Sequence, residues 1–162
     1  MENVGYKVFA VVMVILLMGT SVALFLVMDA MQKANPDPHD ASYEYSVTGF
    51  LYDEPCIGTG HSDYTPENNN TYLYHVVLEF SSASHSDKTD FPVIFNSDEV
   101  MEPDLYTYIG KETLEGRELS VYIRDYSGVS EKYYVGELCK IIRMIIETEN
   151  YSIVADIVED SA

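Results

Sequence analysis

The first strong pattern along the chain is an unbroken apolar run, and everything after it alternates. Val8 to Met28 contains no charge and no proline, and thirteen of its 21 residues are Val, Leu, Ile or Phe. As a helix such a run would be about 31 Å long, the thickness of a hydrocarbon core. Its aliphatic and Phe side chains would favour insertion by roughly 4 to 8 kcal/mol. The hydroxyls of Thr20 and Ser21 can return to the helix's own carbonyls. Residues 8–28 therefore predict a transmembrane helix in contact with the lipid bilayer. The run is longer than the apolar region of a cleaved signal peptide, and Met28-Asp29-Ala30 is a poor cleavage site, so the expectation is an uncleaved signal-anchor.

Beyond it, residues 29–42 hold Pro36 and Pro38 in a polar, acidic stretch, which reads as a stalk. From Tyr43 the period is two. Tyr43, Tyr45 and Val47 alternate with Glu44, Ser46 and Thr48, and Tyr72, Tyr74, Val76, Leu78 and Phe80 form the longest alternating run. Strands are predicted over 71–81, 91–95 (an edge strand, because of Pro92), 105–109, 118–124, 132–135 and 151–158, with a hairpin turn at Asp125-Tyr126-Ser127-Gly128. One segment changes period. In Glu137–Thr148, Leu138, Ile141, Ile142, Ile145 and Ile146 recur at helical spacing, with Glu137, Lys140, Arg143 and Glu147 opposite them. The expected fold is α+β: a small, mainly antiparallel sheet over 43–160 carrying one C-terminal amphipathic helix.

Composition sharpens this picture. The chain has 162 residues with 27 acidic side chains against nine basic ones. Residues 1–28 contribute only Glu2 and Lys7, so the whole net charge of -18 belongs to the stalk and domain. That balance excludes nucleic acid as a partner, because displacing its counterions needs a Lys/Arg footprint. Orientation rests on Lys7 and the α-amino group before the span against Lys33 after it. A seven-residue tail (1–7) followed at once by a span predicts an inside amino terminus, hence a single-pass cell-membrane protein with its C-terminal domain outside the cytoplasm. Two sequons, at Asn69 and Asn150, are candidate glycosylation sites on that side.

Candidate chemistry is thin. Cys56 and Cys139 form a candidate disulfide; closing that loop would be worth about 4.5 kcal/mol in the chain-entropy account. His-Ser-Asp occurs at 61–63 and again at 85–87, in stretches that read as loops, and two such copies could in principle share a metal. The acidic runs 87–90 and 97–104 lack the spacing of a calcium loop. No phosphate loop, nucleophile elbow or zinc-protease pair is present. The sequence nominates no catalytic residue, no cofactor and no metal ligand.

The reading that follows is a membrane-anchored, non-enzymatic binding or envelope-associated module with a protein partner for its outer domain. A pilin-like assembly subunit shares the outline of an apolar helix leading into a strand-rich domain, but Lys7-Val8 does not supply that family's processing site. A membrane-tethered hydrolase without a recognisable motif is the other alternative.

Overall fold

In a computed structural model, residues 41–66 and 71–158 are described. The tail, the expected transmembrane helix and nearly all of the stalk lie outside those residues. Among the described residues no helix is long and apolar enough to cross a membrane.

Nine strands follow one another: β1 (Tyr43–Leu51), β2 (Glu54–Pro66), β3 (Thr71–Ser81), β4 (Ser86–Asn96), β5 (Thr107–Leu114), β6 (Arg117–Tyr126), β7 (Val129–Val135), β8 (Ile141–Glu147) and β9 (Tyr151–Ile157). They form one antiparallel sheet in the order β4-β3-β2-β1-β9-β8-β7-β6-β5. Neighbours in sequence are neighbours in space, except that β1 also pairs with β9, Tyr45 opposite Ile157 and Leu51 opposite Tyr151. This joins two meanders at their first and last strands and leaves β4 and β5 as the edges.

The expected α+β class is thus corrected to all-β. The segment read as an amphipathic helix, 137–148, is a short connection followed by strand β8. Two features imitate a helical period there. A register shift between Tyr134 and Val135 breaks the simple alternation where β8 begins. In addition, both faces of β8 are apolar: Ile141, Met144 and Ile146 enter the main core, while Ile142 and Ile145 pack outside it against Leu119, Val121 and Tyr134. Ile's β-branch then favours the extended backbone. The side-chain pairing expected along a helix gives way to a cross-strand one, Arg143 with Asp156, which are opposed in the β8–β9 ladder.

The sheet curls around a single main core. Tyr106, in the connection between β4 and β5, donates its hydroxyl to the Pro92 carbonyl of β4 at 3.4 Å and sets its ring edge-on to Tyr133 of β7, with centroids 5.6 Å apart. Those strands are far apart in the sheet order, so only strong coiling brings both to one residue. The same connection bridges to β4 at Phe95–Met101. It fills the gap between the edges, and no ladder joins β4 to β5 among the described residues.

Inside, β1 presents Tyr45, Val47 and Leu51, β3 presents Tyr74, Val76, Leu78 and Phe80, and β9 presents Ile153 and Ala155. β2 differs, because its inward positions include Gly58, Gly60 and Ser62. A Cβ on Gly58 would lie 2.0 Å from the Glu79 carbonyl oxygen and 2.6 Å from Phe80 Cα. Only glycine lets β2 and β3 approach so closely, and that closeness bends the sheet. Buried Tyr45 uses the room left by small neighbours: its hydroxyl shares a hydrogen bond with Ser62 Oγ at 3.3 Å and donates to the Ile141 carbonyl at 3.3 Å.

Candidate functional site

Three places carry enough chemistry to be candidate sites. The first is a buried polar cluster. Glu131 of β7 is 2% exposed and faces Arg124 across the β6–β7 ladder. Arg124 Nε donates to Oε2 at 2.7 Å, the Tyr133 hydroxyl to the same oxygen at 2.7 Å, and the Tyr126 hydroxyl to Oε1 at 2.9 Å. The guanidinium also lies over the rings of Tyr106 and Tyr126, at 4.8 and 4.6 Å. Burial pushes the Tyr133 phenol well above its ordinary range and Tyr106 to about 12, so both stay protonated donors. Both oxygens of Glu131 are engaged by donors and the surroundings are aromatic. The arrangement therefore ties the 97–106 connection to β6 and β7 and presents no free base or nucleophile. A shallow cleft of about 560 Å³ beside it is lined by the β6–β7 turn, with Glu147 and Thr148.

The second is the tip where β1 turns into β2. Tyr52 and Asp53 both have positive φ, 49° and 63°, so the two-residue hairpin is of the kind that suits Asn-Gly. Glu54 then accepts from Ser82 Oγ at 2.7 Å and from Ser84 Oγ at 3.0 Å, which holds its carboxyl below the usual range and locks this turn to the β3–β4 turn. The Tyr52 ring packs against His85 at 4.8 Å. Around this fixed turn three large apolar side chains face solvent: Ile57 is 72%, Phe50 53% and Tyr52 52% exposed. Phe50 is opposed to Pro55 and Thr48 to Ile57, so the group is contiguous on the outer sheet face.

The third is a polar array on the outer face of β2, β3 and β4. The first His-Ser-Asp copy, expected in a loop, lies within β2, and the second ends at the start of β4. Strand geometry sends Ser62 inward and puts His61 and Asp63 together on the outer face. The second copy does not join them. Instead Asp63 is opposed by His75 of β3, whose Nε2 lies 2.5 Å from Asp90 Oδ1 of β4.

The remaining sequence candidates separate. Cys56 and Cys139 are buried free thiols, so the expected bridge is not formed. Cys56 is opposed to Gly49 near the β1–β2 turn, whereas Cys139 lies in the β7–β8 connection, close enough to Tyr43 at the start of β1 to raise its phenol pKa. Burial pushes the Cys139 thiol up to about 12. Asn150 is exposed in the β8–β9 turn, and its carbonyl accepts from the Tyr52 amide at 2.7 Å. Asn69 falls outside the described residues.

The tip and the Glu131 cluster escaped the sequence reading. An exposed Ile looks the same in sequence as a buried one, and Glu131 sits in a run where any acidic residue reads as solvated. The sole signal was aromatic density around Arg124.

No protein-family model and no curated protein sequence matches the chain. Among solved structures, PNGF-II in two crystal forms is similar over 73% of this chain, with 7% identity and a TM-score of 0.31. The chain spans only 28% and 27% of those PNGF-II chains. A DUF1329 family protein from Desulfovibrio piger is similar over 76% of this chain and 85% of its own, with 12% identity and a TM-score of 0.26. Similarity at that level assigns neither architecture nor activity.

Proposed function

We propose that the chain is a single-pass, membrane-anchored module of the cell envelope whose β domain stands outside the cytoplasm and binds a protein partner through the Phe50–Tyr52–Ile57 tip. The observation that carries this reading is the position of that apolar group. The chain enters the domain at Ala41 and Ser42, just before β1, and the tip lies at the other end of that strand. At about 3.4 Å per residue the two ends are roughly 27 Å apart. A surface at the end remote from an anchor is the one that faces away from the bilayer. Contiguous exposed apolar side chains on a turn fixed by Glu54 suit a partner more than they suit water. The acidity of the domain agrees with this, since it disfavours lying flat on anionic lipid heads.

Two measurements test the reading. The full-length chain should remain with membranes through alkaline carbonate extraction; release would sink the anchor. A photo-crosslinking residue at Ile57 in the full-length membrane protein should yield one discrete adduct that Phe50→Ala diminishes. The same residue at Thr113, on the edge strand β5, should not yield it. Equal adducts from both positions, or none from Ile57, would reject the tip.

A further inference from the structure

The outer face of β2–β4 brings together side chains that lie apart in sequence. We propose that His61, Asp63 and His75, with Asp90 behind His75, bind one divalent transition-metal ion of the zinc class. His61 and Asp63 are two apart on a strand, and Asp63 is directly opposed to His75, so His61 and His75 are diagonal neighbours. On a sheet those relations correspond to Cβ separations of about 5 Å for the opposed pair and about 7–8 Å for the diagonal one. Imidazole and carboxylate arms of that spacing can meet around an ion that takes nitrogen and oxygen at about 2.0–2.2 Å.

Three further observations support the assignment. The Asp90 carboxylate already bonds His75 Nε2 at 2.5 Å, and this is the outer-shell partner that orients a ligating imidazole and leaves Nδ1 as its coordinating nitrogen. Val77, between His61 and Asp90 in the register, is only 6% exposed, which gives the array an apolar floor. The net charge of -18 concentrates cations at the surface. Two imidazoles select zinc, nickel or copper over calcium and magnesium, which take oxygen ligands.

As the side chains stand, no three of these donors meet at one point among the described residues. His61 Nε2 is 3.7 Å from Asp63 Oδ2, and His75 faces Asp90. The four side chains are 46–56% exposed, so rotation into a common centre works against two surface ion pairs and not against core packing. Binding should therefore order four side chains and leave the backbone unchanged.

Titration of the purified full-length chain with zinc chloride by calorimetry, and with cobalt(II) by visible absorption, tests the proposal. One equivalent should bind, with the intense bands of low-coordinate cobalt. His61→Ala and His75→Ala should each weaken binding about tenfold or more, and Asp90→Asn by a smaller factor. His85→Ala, in the second His-Ser-Asp copy, should bind as the parent does. The altered positions are on the exposed face, and unchanged melting curves without metal confirm that the variants fold. Absence of stoichiometric binding, or parent-like affinity in both His61→Ala and His75→Ala, would overturn the site.

Discussion

Arg124 and Glu131 are directly opposed in the β6–β7 ladder and joined by a 2.7 Å hydrogen bond, with the carboxylate sealed beneath two tyrosine hydroxyls. Removing one partner of such a pair leaves an uncompensated buried charge. Arg124→Met alone should destabilise the domain by about 3–5 kcal/mol, whereas Arg124→Met with Glu131→Leu should recover a large part of that loss. Denaturant unfolding of the two variants measures it; equal losses would show that the pair is not the source.

The closeness of β2 to β3 makes a second prediction. Gly58→Ala places a methyl 2.0 Å from a backbone oxygen, which no side-chain rotation relieves, and should destabilise by about 1–3 kcal/mol. Gly136→Ala would meet only Ile142 Cγ1 at 3.5 Å, an ordinary contact, and should stay within about 0.5 kcal/mol of the parent. Urea midpoints compare the two.

The turn at Tyr52-Asp53 has two residues in a conformation that glycine and asparagine prefer. Replacing it with Asn-Gly should stabilise the fold by about 1–2 kcal/mol. The same double variant should reduce crosslinking from Ile57 if Tyr52 belongs to the partner surface. A fold stabilised and a crosslink retained would confine the strained turn to a structural role.

High pH should unfold the domain through its core phenols. In the unfolded chain tyrosine ionises near pH 10. In the fold Tyr106 keeps its proton to about 12, and Tyr45, Tyr74 and Tyr133 are shifted upward by burial as well. Above pH 10 the unfolded chain therefore binds fewer protons than the folded one. Stability is complete below that pH and falls as pH rises towards 12 and beyond. Tyrosinate absorbance followed together with circular dichroism should show these phenols ionising with the loss of structure; ionisation well before unfolding would contradict it.

The buried thiols should be slow to react. Cys139, with its pKa at about 12, and buried Cys56 should resist a disulfide reagent at neutral pH in the native protein, and denaturation should release two reactive groups. Finding none after denaturation without reductant would restore the Cys56–Cys139 bridge.

Much of the sheet was legible because one side of a strand faces the core. Thr71–Ser81 was readable to the residue as β3, since Tyr72, Tyr74, Val76, Leu78 and Phe80 repeat at a period of two. β2 was not, because its inward side carries Gly58, Gly60 and Ser62, so no apolar alternation marks the longest strand of the sheet. β8 failed for the opposite reason, an excess of apolar residues on both faces beside a register shift. Of the candidate sites, the His61-Ser62-Asp63 spacing was visible, but its partner was not. Which histidine opposes Asp63 is decided by register, and nothing local singles out His75 over His85.

The pairing of β1 with β9 also sets the order in which the domain can be completed during synthesis. β1 emerges first, and β2 to β4 can form on one side of it at once. Its other edge waits for β9, so the middle of the sheet is the last ladder to close. Until then two half-sheets expose the faces that become the core and a row of unpaired β1 amides, which makes the unfinished chain a substrate for holding factors and leaves a truncation before Tyr151 with an open centre instead of a frayed edge.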